Sequence, residues 1–136
     1  MKLLLFDTEY FWYKTFSKTL ENVEDIKKEE KIENTAVFFI HVESKDEERK
    51  NKVINRTVRN LRWYLNKIDK DMVVLHSFAH LSSSKSSPEF AIEVFEVIKE
   101  KLEKRGTKVH ITPFGYFYEF SIHVRGESLA KVFQEI

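Results

Sequence analysis

Between residues 35 and 112 apolar runs alternate with amphipathic ones, and this alternation limits the possible folds more than any other feature of the chain. TAVFFIHVE (35–43) is too apolar along its length to face water on either side, which predicts a strand covered on both faces. SKDEERKNKVINRTVRNLRWYLNKID follows, with Ser44 as a cap and acids suited to the positive end of a helix. Its apolar residues Ile54, Val58, Leu61, Leu65 and Ile68 recur at spacings of four and three, the signature of an amphipathic helix. MVVLHSFA (72–79) is a second buried strand. Ser86 or Ser87 caps a second helix, and Pro88 takes the first position, where a missing N–H costs nothing. Ala91, Val94, Phe95, Ile98 and Leu102 form the inner face of that helix, Gly106 stops it, and TKVHIT (107–112) is a third strand. A β–α–β–α–β order of this kind requires right-handed crossovers with helices packed on the sheet. The fold class is therefore α/β: a single domain with a mixed β-sheet and helices packed on it.

The flanks extend the sheet. KLLLFD (2–7) reads as a central strand, continued by aromatic, strand-favouring residues over 9–16. Residues 17–34 are polar and charge-rich, an exposed excursion with one turn of helix. YFYEFSIHV (116–124) is a further strand, joined tightly to the third through Pro113-Phe114-Gly115, and SLAKVFQEI after Gly126 reads as a short final helix. At 136 residues, without repeats or a linker, one domain spans 1–136.

Several function classes drop out. With 23 basic and 22 acidic residues the net charge is +1, so bulk electrostatics cannot hold a nucleic acid and any RNA must be gripped locally. The chain has no cysteine, which excludes disulfides, thiol nucleophiles and thiolate metal sites and agrees with a cytoplasmic location. No segment approaches the roughly 20 apolar residues that cross a bilayer, and the apolar start has no signal-peptide cleavage site. Ligands of sheets like this sit beyond the carboxyl ends of strands, which points to the loops 80–87 and 113–116. His76 and His80 have an i, i+4 spacing that joins metal ligands on a helix, but here it spans a strand end and its loop, so no metal is expected. The serines of 82–87 lack a G-x-S-x-G elbow and mainly begin a helix. His80, at the end of a buried strand, is the better candidate for a pocket.

FAHLSS (78–83), Pro88 and Ala91 opening a helix, the Lys-Arg-Gly stop, PFGY (113–116) and the F-x-I of 120–122 occur in one order. Together with Tyr10 and FIHVE (39–43) they give a sequence that resembles the archaeal editing domain of threonyl-tRNA synthetase, whose fold is similar to that of D-aminoacyl-tRNA deacylases. The resemblance covers most of the chain and is loose only over 17–34. It implies proofreading hydrolysis of Ser-tRNA(Thr), with the water positioned by backbone groups and the terminal ribose hydroxyl. One methylene is worth only about 1–3 kcal/mol of discrimination, so a synthesis site sized for threonine cannot exclude serine, and a second, tighter pocket is needed.

By the same resemblance His80 is the pocket histidine, and Val42, Ala79, Phe114, Gly115 and Tyr116 form the walls and the adenosine cradle. Three polar positions depart from the family pattern. PFGYYK reads PFGYFY here, placing Phe117 and Tyr118 where the family has tyrosine and a pocket lysine. G-H-P-L-A-E reads G-E-S-L-A-K, placing Lys131 where the family has a glutamate, and Ser77 replaces a proline. The expected catalytic set is His80, Tyr118 and Lys131, with Lys131 supplying the ammonium of the missing lysine. No cofactor is expected. The implied partners are the aminoacylated 3′ end of tRNA(Thr), the catalytic part of the synthetase in cis or in trans, and a second copy in a homodimer, for which Phe11-Trp12-Tyr13 suits the surface. Other readings are a D-aminoacyl-tRNA deacylase and a non-catalytic tRNA-binding or dimerisation module.

Overall fold

The computed structural model describes Met1–Ile136. Its organising element is β1 (Lys2–Lys18), a 17-residue strand that belongs to two sheets in turn. Its first half pairs antiparallel with β3 (Ala36–His41) on one side and β7 (Lys131–Glu135) on the other. Past a register break at Thr8–Tyr10 its second half pairs with β2 (Glu29–Glu33) and β6 (Tyr116–Val124). A bulge there bends the strand, so the sheet curls over itself. β3, β4 (Met72–Ser77) and β5 (Lys108–Ile111) are mutually parallel. The crossover helices α1 (Lys50–Ile68) and α2 (Pro88–Glu103) pack on one face, as the alternation in the sequence requires.

β3 is buried at all six positions because both of its faces are covered. Phe38 and Ile40 meet the helices together with Leu3, Leu5, Leu61, Phe95 and Ile98. Val37 and Phe39 meet Phe11, Tyr13 and Ile32 from the curled-over half. Phe11 and Tyr13 are thus core residues, fully or almost fully buried, and Trp12 donates its indole N–H to Glu29 (2.9 Å). The partner surface expected at Phe11-Trp12-Tyr13 is corrected accordingly.

Ser87 caps α2, accepting the Phe90 N–H (3.2 Å), with Pro88 in the first turn. Ser87→Ala is expected to cost about 1 kcal/mol, read as a lower denaturation midpoint. Ser44, by contrast, does not cap α1. It opens a 3₁₀ turn (Ser44–Arg49) preceded by Glu43, whose N–H donates to Asp46 (2.8 Å), and the α-helix begins at Lys50.

Two further expectations fail. The 17–34 excursion contains no helical turn: β1 runs to Lys18 and β2 returns along it, buried through Ile32 against Phe11. The chain end is not a helix either. After a 3₁₀ turn at Ser128–Ala130 it forms β7, because an open edge of β1 is available for pairing. β5 and β6 are joined tightly as expected, but they do not pair with each other; β6 crosses to β1.

Candidate functional site

The parallel strands β3, β4 and β5 end together at a cleft of about 450 Å³, within the 300–1,000 Å³ typical of small-ligand sites. The loop after β4 forms one wall and the Pro113–Tyr118 segment the other. Nine sequence-derived candidates meet there: Val42, Ser77, Ala79, His80, Phe114, Gly115, Tyr116, Phe117 and Tyr118. Lys131 does not. It lies on β7 opposite Phe6, beside the half of the sheet away from the cleft, and its ammonium donates to the Glu127 carbonyl (3.3 Å). The resemblance set it at the family's pocket glutamate, but the pairing of β7 with β1 holds it outside the cleft. The one permanently charged side chain lining the cleft is instead Lys85, which makes no ion pair; no carboxylate lines the space.

Tyr118 is a wall rather than a proton donor to the cleft. Its hydroxyl donates to the Pro113 carbonyl, and burial pushes the phenol above its ordinary range. Phe117 on the neighbouring position is 58% exposed and leaves the cleft open. His80 is exposed at the rim, its ring edge-on to Phe78 (5.0 Å).

FIHVE explains why the 78–87 loop holds its shape. His41 accepts the Leu81 N–H at Nδ1 (3.0 Å) and donates from Nε2 to the Ser84 carbonyl (2.7 Å), so one buried ring clamps both sides of the loop. Glu43 accepts the Ser82 hydroxyl (2.7 Å), which is therefore not a free nucleophile. Phe78 and Ser86 donate their N–H groups to Ile40 and Val42 (both 3.1 Å). Glu43 itself faces the Met1 α-ammonium (2.8 Å), shared with Asp46 (3.0 Å), and Lys2 (3.1 Å). Burial would raise its carboxyl, but hydrogen bonds from the ammonium, Ser82 and Lys2 hold it at about 2.

The opposite wall is set by Gly115, at φ +83°, where the space for a Cβ is taken by Val23 Cγ1 at 2.7 Å. Its carbonyl accepts the Thr19 N–H (2.8 Å), and the Tyr116 hydroxyl bridges the Glu24 carbonyl and the Ile26 N–H. The excursion thus folds over the Pro-Phe-Gly turn and brings Thr19 and Leu20 into the cleft. Phe114 is fixed from below by Phe95, edge-on at 5.1 Å. The backbone N–H groups of Ala79, His80, Phe114 and Gly115 donate to nothing within the protein.

A model of the archaea-specific editing domain of threonyl-tRNA synthetase matches residues 1–136. The chain belongs to that family. It is 33% identical over 139 residues to the threonine–tRNA ligase of Thermococcus onnurineus, and 33% identical over 138 residues to that of Methanosphaera stadtmanae. Each match covers 100% of the chain and 22% of the ligase, so the chain spans about a fifth of these curated relatives. Among solved structures, the c-Myc DNA unwinding element binding protein superposes with a TM-score of 0.71 over 100% of this chain and 99% of that one. At 13% identity this likeness speaks for the fold, which is the single α/β, D-aminoacyl-tRNA deacylase-like architecture expected from the sequence.

Sequence reading missed four residues that line or support the cleft. His41 and Glu43 sit inside a quoted motif, but their role depends on a loop some 40 residues away. Lys85 was hidden among helix-opening serines. His76 had been weighed only as a metal ligand; no group of side chains in the structure is arranged to hold a metal ion.

Proposed function

We propose that the domain hydrolyses Ser-tRNA(Thr), releasing serine from the mischarged tRNA. The observation carrying this reading is the cleft between two pinned loops, walled by Ala79, Phe114, Gly115 and main chain. The reading requires a hydroxymethyl side chain to fit against walls tied down by His41, Glu43 and Phe95, and those walls to resist the extra methyl of threonine. The free N–H groups of Ala79, His80, Phe114 and Gly115 are suited to an ester carbonyl as it becomes an oxyanion. Water is positioned by backbone groups and the ribose hydroxyl, and His80 guards the rim.

The ammonium role assigned to Lys131 passes to Lys85. Its neighbours are fastened by the Ser84 carbonyl and the Ser86 N–H, which holds its main chain beside the cleft, and its exposed ammonium is suited to the phosphodiester of a tRNA 3′ end. Lys85→Ala is expected to raise KM severalfold with little change in kcat, and to lessen the salt dependence of binding by about one phosphate contact.

Incubation with Ser-tRNA(Thr), Thr-tRNA(Thr) and a D-aminoacyl-tRNA tests the reading. The seryl ester should be lost roughly 100-fold faster than the threonyl ester. Loss of the D-ester alone would instead assign a D-aminoacyl-tRNA deacylase, and binding without loss a non-catalytic module. The domain would act on tRNA(Thr) in the cytoplasm, with the synthetase's catalytic part in cis or in trans. It would do so as a homodimer; a monomer by light scattering would end that part of the reading.

A further inference from the structure

The floor of the cleft holds a polar group that the proposed reaction has not yet used. His76 is the penultimate residue of β4, lines the cleft and is only 3% exposed. Aromatic rings surround it: Phe39 and Tyr118 at 5.1 Å, Phe11 at 5.7 Å and Phe120 at 5.9 Å. A polar ring kept in such a setting is costly unless its nitrogens are matched, yet only one of them is. Nδ1 lies 2.9 Å from the Thr112 hydroxyl, and Nε2 has no partner within the protein.

The proposal takes the tautomer in which the Thr112 hydroxyl, turned toward the Leu75 carbonyl (3.5 Å), accepts from Nδ1–H and Nε2 keeps its lone pair. The titratable groups packed against this surface are the phenols of Tyr118 and, behind it, Tyr13, both pushed upward by burial and uncharged. Burial alone lowers the imidazole to about 4. That is the basicity of an ordinary carboxylate without its negative charge, in a cleft that no carboxylate lines.

We propose that Nε2 of His76 is the acceptor for the hydrolytic water of the deacylation proposed above, and takes its proton as the water attacks the ester carbon. The new bond joins the water oxygen to the carbonyl carbon, and the bond to the ribose oxygen breaks. The proton held on Nε2 passes to that ribose oxygen, and serine and a free 3′ terminus leave. The imidazole is neutral before and after, so no co-reactant is needed. The inference rests on the deacylation reading and adds the group that acts within it.

Two measurements test it. His76→Phe keeps an aromatic ring among aromatic rings and removes the nitrogen; kcat for Ser-tRNA(Thr) is expected to fall about 100-fold, with KM nearly unchanged. Relative to this variant, the wild-type rate should be flat above about pH 5 and fall below it with an inflection near 4. If His76→Phe does not fold, Thr112→Val releases Nδ1 and should lower kcat severalfold. A kcat within twofold of wild type in the folded variant overturns the role of His76 and leaves the deacylation reading standing. A wild-type protein that releases no serine overturns both. Independently, ¹⁵N chemical shifts should show Nε2 unprotonated at neutral pH; a proton on Nε2 overturns the role whatever the rates.

Discussion

Glu43→Gln is expected to destabilise the domain by about 3 kcal/mol, the low end for breaking a buried ion pair, because Asp46 still faces the Met1 ammonium. The variant should show a lower denaturant midpoint with an unchanged slope. Its effect reaches the cleft, since the same carboxylate accepts the Ser82 hydroxyl and so holds the 78–87 loop. Proofreading of the seryl ester should weaken along with stability, and the threonyl ester should gain ground as the wall softens. The pH dependence has a definite sign. Glu43 is held at about 2 in the folded chain, below its ordinary 4.5. Its contribution is therefore present above about pH 4.5 and lost as pH falls through 2. His76 adds a separate loss between 6.5 and 4, where the unfolded chain binds a proton that the buried ring refuses. Comparing Glu43→Gln with wild type isolates the lower window, because the His76 component is common to both.

Gly115→Ala should lower stability by about 2–3 kcal/mol and reduce kcat/KM for the seryl ester more than tenfold. Two effects add. A side chain at φ +83° costs about 1–2 kcal/mol of backbone strain, and the new Cβ meets Val23 at 2.7 Å. Relieving the overlap pushes the excursion outward, stretching the Thr19–Gly115 hydrogen bond and withdrawing Thr19 and Leu20 from the cleft. Gly106→Ala supplies the control. Gly106 has a similar φ of +88°, but nothing lies within 4 Å of its Cβ position. It should show the strain alone, about 1 kcal/mol, with activity unchanged. Equal losses of activity in the two variants would show that the excursion does not shape the cleft.

Much of the architecture was legible because it is written in local patterns. The apolar run of β3, the four-and-three spacing of α1 and the Ser87-Pro88 start of α2 each report their own environment within a few residues. Once the β–α–β–α–β order was read, chirality and packing placed a cleft at the carboxyl ends of β3 and β4, and nine of the candidate side chains do line it. The motifs FAHLSS and PFGY pointed to the same place from a different direction.

The tenth, Lys131, was placed by its match to a family motif position, and its strand was read as a helix because five edge residues carry too little pattern. β7 exists because β1 offers it an unpaired edge more than 120 residues earlier in the chain. The same holds for β2, for the Glu43–Met1 pair, and for the burial that lowers the basicity of His76. Sequence alone determined which segments are helix and strand in the centre of the chain and where a ligand would enter, because side-chain periodicity and capping are short-range. Only the tertiary structure decided which side chains face the cleft and in what charge state, because hydrogen-bond partners and desolvation come from residues far apart in sequence.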